Sequence, residues 1–262
     1  MKKIYLLLLL FVLSLSHLEA GNPKKLFLLL GQSNMAGRAP MSPQDILPLH
    51  MVQLFNSDGY FESARNPLNR YSNIRKELPL QLVGPGYSFG KRLSEVCRDT
   101  IYLLVNARGG VPIKQFMKGD SSQYYTCTIQ RIKQALKLYP DLSIEAIIWH
   151  QGESNVDDDA QYLGQLAKLT ADYRQDLNLP DLPIIVGELG HWNRANSIMN
   201  NKLSMISDSI SNAYCVSSES LTNIDNFHFD ARSQHILGNR YAEKYIEILA
   251  YRSSLLQNSK IR

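Results

Sequence analysis

The sequence predicts an α/β fold, a three-layer α/β/α sandwich around a central parallel sheet of about five strands. Two observations carry this. Short runs that are apolar on both faces recur along the chain, as strands buried between two layers do. Helix-period segments stand between them, and strand–helix–strand alternation places helices on both faces of a parallel sheet.

The strands are expected at Leu26–Leu30, Val52–Phe55, Ile101–Val105, Ala146–Trp149 and Ile184–Val186. Ile129, Ile132, Leu136 and Tyr139 step by three or four residues until Pro140 stops the run. Tyr162, Leu166, Leu169, Tyr173 and Leu177 repeat that step after the acidic Asp157–Asp159, a sign that suits a helix start. Ile236, Leu237, Tyr241, Tyr245, Ile248 and Leu249 predict a last amphipathic helix, and the polar tail Arg252–Arg262 is expected to fray. Asn56–Gly86 has no clear period and is punctuated by Gly59, Pro67, Pro79 and Gly84. Loops of that length in compact domains tend to be functional.

Composition narrows the class. Hydrophobic residues make up 44% and charged residues 20% of 262, which excludes a disordered chain. A chain of this length buries roughly 70–75% of its unfolded surface and needs no covalent staples. The net charge of +4 is spread without a basic cluster, so no nucleic-acid partner is expected. No motif specifies an oligomeric state.

Lys2 and Lys3 precede an apolar run from Ile4 to Leu15, and His17, Leu18, Glu19 and Ala20 lead to Gly21. This order predicts a secretory signal peptide over residues 1–20, leaving 21–262 as a single exported domain, periplasmic or secreted. The run is short of the roughly 20 residues that span a bilayer, and no later stretch reaches that length, so no membrane association is expected after cleavage. Cys97, Cys127 and Cys215 allow one bridge and one spare thiol, or three buried small apolar side chains. They share no metal-ligand spacing, and neither a metal nor a cofactor is expected.

In open α/β sheets ligands bind beyond the carboxyl ends of the strands. The first strand ends in Gly31-Gln32-Ser33-Asn34-Met35-Ala36-Gly37. A Ser there is either a plain turn residue or a nucleophile whose neighbouring backbone N–H groups bind an oxyanion. The turn is neither a Gly-x-Ser-x-Gly elbow nor a phosphate loop. The third strand ends in Gly109-Gly110, where a backbone N–H can approach a ligand closely. The fourth ends in His150-Gln151-Gly152-Glu153-Ser154-Asn155, a polar cluster larger than a helix cap requires. Gln151 can donate to an oxyanion, and Glu153 can accept from an imidazole. Asp225 and His228, three apart, can meet across one turn so that the carboxylate holds the ring tautomer. His235 reads as a surface or packing residue, and His50 and His191 have no evident partner.

Together these blocks resemble, in order, the sialate O-acetylesterase and acetylxylan esterase branch of the SGNH hydrolases, a flavodoxin-like fold. Gly238-Asn239-Arg240-Tyr241-Ala242 is similar to that family's closing helix. The resemblance implies Ser33 as nucleophile and His228 as general base, with Asp225 or Glu153, or both, supporting the imidazole. It implies oxyanion donors at the Ser33 N–H, the Gly109–Gly110 pair and the Gln151 side chain. Gln32, Asn34 and Trp192 are candidate substrate-binding residues, and Tyr60, Phe61, Tyr71 and Trp192 are either sugar-stacking or packing aromatics. The implied substrate is an acetylated carbohydrate, with acetylated xylan or a similar plant polysaccharide ahead of an O-acetylated sialic acid. A sugar-binding protein without catalysis is the rival class. Lipid or thioester hydrolysis would need an apolar acyl channel, which these polar strand ends disfavour.

Overall fold

The computed structural model describes residues 23–156 and 160–259. The expected signal peptide and the acidic Asp157–Asp159 lie outside them.

The centre is one seven-stranded sheet, ordered β3-β2-β4-β1-β5-β6-β7. Its strands are β1 (Lys24–Gly31), β2 (Leu49–Phe55), β3 (Phe61–Ala64), β4 (Ile101–Ala107), β5 (Leu142–His150), β6 (Ile184–Gly187) and β7 (Ala213–Val216). All neighbours run parallel except β2 and β3. The five expected strands are all present, and two more flank them. β3 and β7 are four-residue edge strands: β3 carries Glu62 and Ser63 in its middle, and β7, though apolar throughout, is only half-buried at Tyr214 and Cys215.

The side chains of β1 alternate between two cores. Leu26, Leu28 and Leu30 pack with α3 (Tyr124–Leu138) and α4 (Tyr162–Leu177) on one face. Phe27 and Leu29 pack with α2 (Gly86–Cys97) and α6 (Ala231–Ser259) on the other. α3 ends before Pro140, and α4 ends at Asn178, whose left-handed φ of 55° lets its N–H close the last turn. α6 does not fray at Arg252 but continues to Ser259. The three cysteines are half-buried free thiols, so no bridge forms among them. The long Asn56–Gly86 segment contains β3 and two short 3₁₀ turns, Leu68–Tyr71 and Leu78–Leu80.

Strand order reverses at β1, which lies between β4 and β5. Gly31 pairs in register with Ala107 on one side and His150 on the other. That register brings the turns after β1, β4 and β5 to the same edge of the sheet. Gly31 has φ 140°, and a Cβ there would lie 2.1 Å from the His150 carbonyl oxygen. Only glycine allows the approach.

Candidate active site

At this edge a cavity of about 310 Å³ opens. It is lined from β1 by Gln32 and Ser33, from the turn after β4 by Gly109 and Gly110, and from the segment after β5 by Glu153 and Ser154. Phe227 and His228, ahead of α6, complete the floor and rim. Larger clefts of about 570 to 690 Å³ lie elsewhere, so chemistry rather than size marks this one.

Ser33 opens the one-turn helix α1 (Ser33–Ala36) and is 6% exposed. A Cβ on Gly109 would sit 3.2 Å from Ser33 Cβ and 2.3 Å from the Arg38 guanidinium, so a larger residue would intrude on the cavity. The Asp225 Oδ2 lies 2.8 Å from His228 Nδ1. Asp225 Oδ1 accepts backbone N–H bonds from Phe227 and His228, each 2.8 Å. Burial alone would raise the Asp225 pKa, but the bonds from the His228 ring and the two amides outweigh it and hold the carboxyl below its ordinary value. With Nδ1 turned to the carboxylate, Nε2 is the ring nitrogen left for chemistry.

Glu153 lines the same cavity but serves a different imidazole. Its Oε1 accepts from the Asn34 amide at 2.5 Å and lies 3.6 Å from His150 Nε2. Burial would raise its pKa, yet His150 and then Asn34 favour the charged form strongly enough to lower it. His150 is fully buried, with Nδ1 2.9 Å from the Tyr241 hydroxyl. The structure therefore brings Asp225, and not Glu153, to the His228 ring.

Three expectations change. Gln151 is buried and does not line the cavity: its amide N–H₂ donates to the Val111 carbonyl at 3.2 Å and to Asn155 Oδ1 at 2.7 Å. Both donors are committed, so its expected oxyanion role finds no geometry here, and Gln151 holds the turns after β4 and β5 together instead. Asn34 is also withdrawn from the cavity. Its amide nitrogen donates to Glu153 and to the Phe227 carbonyl, and its oxygen accepts from Phe229 N–H and from Gln234. It clamps the Ser33 turn to the His228 loop and to α6. Trp192 donates to the Asn226 carbonyl at 2.8 Å and packs edge-on against Phe229, 5.0 Å between ring centres. It supports the loop that carries His228 and presents no stacking face to the cavity.

The other aromatics pack or lie apart. Phe61 sits among Phe55, Tyr102 and Tyr139. Tyr71 bonds Glu62 beneath Arg70, and Tyr60 is exposed away from the cavity. Gln32 does line the cavity, and its buried Oε1 has no hydrogen-bond partner. His191 has a partner after all, Glu188 Oε2 at 2.9 Å, and His235 pairs with Asp45 at 2.7 Å; neither lines the cavity.

Sequence reasoning missed Arg38, Lys76 and Leu80, which form the remaining wall. Arg38 donates to the Gly37 and Leu80 carbonyls, and burial lowers its pKa. Neither Arg38 nor Lys76 forms an ion pair with another described residue. A cation directly after Gly37, in the same turn as Ser33, was the available signal for Arg38. Lys76 reaches the site from the long loop, which only the tertiary fold reveals. No cluster of metal-binding side chains occurs among the described residues.

Known proteins resemble this chain in sequence and fold. A family profile described as "Carbohydrate esterase, sialic acid-specific acetylesterase" (SASA) matches residues 23–247. A probable carbohydrate esterase of Arabidopsis thaliana, At4g34215, is 31% identical over 245 residues, covering 86% of this chain and 91% of its own. Its crystal structure superposes with a TM-score of 0.76 at 28% identity, over 86% of this chain and 98% of that one. NanS shares the fold at 15% identity and a TM-score of 0.68, over 88% of this chain and 98% of its own. A carbohydrate acetylesterase of Xanthomonas citri does so at 18% and 0.62, over 83% of this chain and 54% of that one. The strand-end blocks, the three-layer sheet and these matches agree: the chain belongs to the SASA family of carbohydrate esterases and is a carbohydrate acetylesterase.

Proposed function

We propose that this protein removes acetyl groups from sugar hydroxyls through a covalent acyl-enzyme on Ser33. The observation that carries the mechanism is the convergence of Ser33 and His228 on one small cavity, with Asp225 hydrogen-bonded to the far side of the His228 ring. His228 takes the Ser33 hydroxyl proton as the oxygen attacks the acetyl carbonyl. Backbone N–H groups of Ser33 and the Gly109–Gly110 pair hold the oxyanion. His228 returns the proton to the departing sugar hydroxyl, and water repeats the sequence to release acetate. A cavity of about 310 Å³ has room for a short acyl group beside the sugar, and its size favours acetyl over long acyl chains.

The substrate in this reading is acetylated xylan or a similar plant polysaccharide, met after export through the amino-terminal signal. O-acetylated sialic acid is the second reading. Arg38 and Lys76, two cations in the cavity wall, favour it, because they suit a sugar that carries a carboxylate. Ser33→Ala decides whether catalysis runs through this cavity. Release of acetate from a small aryl acetate is expected to vanish while the melting temperature hardly moves, and an active variant refutes the mechanism. Comparing acetate release from acetylated xylan and from O-acetylated sialic acid then separates the two substrates.

A further inference from the structure

We infer that a second cavity, behind the loop that walls the first, binds a sugar bearing a carboxylate. The loop from Tyr71 to Gln81 has two faces. Lys76 and Leu80 look into the Ser33 cavity, while Arg75 and Leu78 line a separate cleft of about 600 Å³. α3 supplies the opposite wall with Gln130, Arg131 and Gln134.

The cleft holds three guanidinium groups and no carboxylate among its lining residues. Arg70 is compensated by Glu62 at 2.5 Å and stacks on the Tyr71 ring. The other two have no counter-ion, and Arg131 instead lies 5.4 Å from the Phe55 ring centre. Arg131 is 6% exposed; its Nη groups donate to the Tyr71 and Phe55 carbonyls, and its Nε has no partner. Burial lowers its pKa to about 10, so it keeps its charge at neutral pH. Arg75 donates only to the Arg70 and Lys76 carbonyls. Neither Arg75 nor Arg131 forms an ion pair with another described residue.

Two carbonyls and the Phe55 ring offset the Arg131 charge only in part, and its buried Nε finds no partner. A largely buried cation without a counter-ion is costly, and an arriving carboxylate relieves that cost with charge-assisted hydrogen bonds. The exposed Gln130 and Gln134 amides and the half-buried Tyr71 ring add what sugar hydroxyls and faces need. Because one loop walls both cavities, the cleft would select uronate-bearing polysaccharides whose acetyl group lies at Ser33. That the anion is a sugar rests on the esterase reading of the Ser33 cavity; the preference for an anion rests on the arginines alone.

Calorimetric titration of the full chain with an unacetylated oligogalacturonide tests the inference, with a neutral xylo-oligosaccharide and a sulfated oligosaccharide alongside. The oligogalacturonide is expected to bind, more weakly as salt rises, and the neutral sugar to bind far less. Arg75→Gln should weaken Kd at least about tenfold. Gln134→Glu, an exposed change on α3 that leaves the loop intact, should do the same by placing a negative charge in the cleft. Absence of uronate binding, equal binding of the neutral sugar, preference for the sulfated one, or an unchanged Kd in both variants overturns it. Aryl acetate hydrolysis by the wild-type chain stands apart: an active enzyme that ignores the uronate sinks this inference and leaves the esterase mechanism in place.

Discussion

Two imidazole–carboxylate pairs stand within one site, and each joins residues three apart. Asp225 and His228 meet at the cavity rim, where the Asp225 side chain is 48% exposed. His150 and Glu153 meet beneath the floor, both buried. The chemistry of the partners is alike, and their surroundings are opposite. The rim pair engages only Nδ1 of a ring that lines the cavity. In the buried pair Glu153 touches the cavity edge but its Oε1 is held by Asn34, and the His150 ring is fully buried against Tyr241. Spacing makes such a pair; access decides whether it moves protons or braces a fold.

Substitutions in the two pairs should therefore fail differently. Asp225→Asn is expected to have the largest effect, up to about 10⁴-fold in kcat, because the ring loses the partner that fixes its tautomer. Thermal melting should stay close to wild type, since this carboxylate is half exposed. A variant that melts early with near-normal turnover would reverse the roles of the two pairs. Asn34→Ala comes next. It strips Glu153, Phe227 and Phe229 of a buried partner, and a loss of about 3 kcal/mol or more is expected in denaturant unfolding.

Gln151→Ala sharpens the comparison on the neighbouring residue. Loss of its bonds to Val111 and Asn155 should cost about 1–3 kcal/mol of stability. Turnover should fall by less than the roughly 10²–10³-fold that removal of an oxyanion donor produces. A loss in that range without destabilisation would restore Gln151 to the oxyanion site.

Glu153→Gln is expected to act most gently and to show itself through pH. The folded protein holds the Glu153 pKa below its unfolded value, so its stabilising contribution is full above the unfolded pKa and disappears as pH falls through the folded one. The difference in melting temperature between wild type and variant should thus be greatest near neutrality and shrink below about pH 4. A difference that grows on acidification contradicts the assigned charge state.

The sequence disclosed the sheet where burial was two-sided. β1, β4, β5 and β6 are largely buried on both faces. By contrast, β3 carries Glu62 and Ser63 in its middle, and β7, apolar throughout, is a short edge strand half-buried at Tyr214 and Cys215. α2 escaped notice because its buried face mixes Tyr87, Phe89 and Leu93 with Gly86, Ser88, Gly90 and Ser94. Small residues are required there by close packing on α6: a Cβ on Gly238 would strike the Pro85 carbonyl at 2.1 Å. Ser33, Gly109, Gly110, Glu153 and His228 were legible because each directly follows a strand or stands in a recognisable polar block. Asn34, Gln151 and Trp192 have side chains that serve a ligand or a neighbouring loop equally well, and only the fold shows which. Lys76 and Leu80 carry no local pattern at all.

Asn34 joins the first strand-end turn to groups at positions 227, 229 and 234, between 193 and 200 residues further along the chain. During synthesis the nucleophile turn emerges from the ribosome long before the groups that anchor it. Hydrolytic competence thereby waits on synthesis through residue 234. In refolding, recovery of turnover should lag behind recovery of helical circular dichroism.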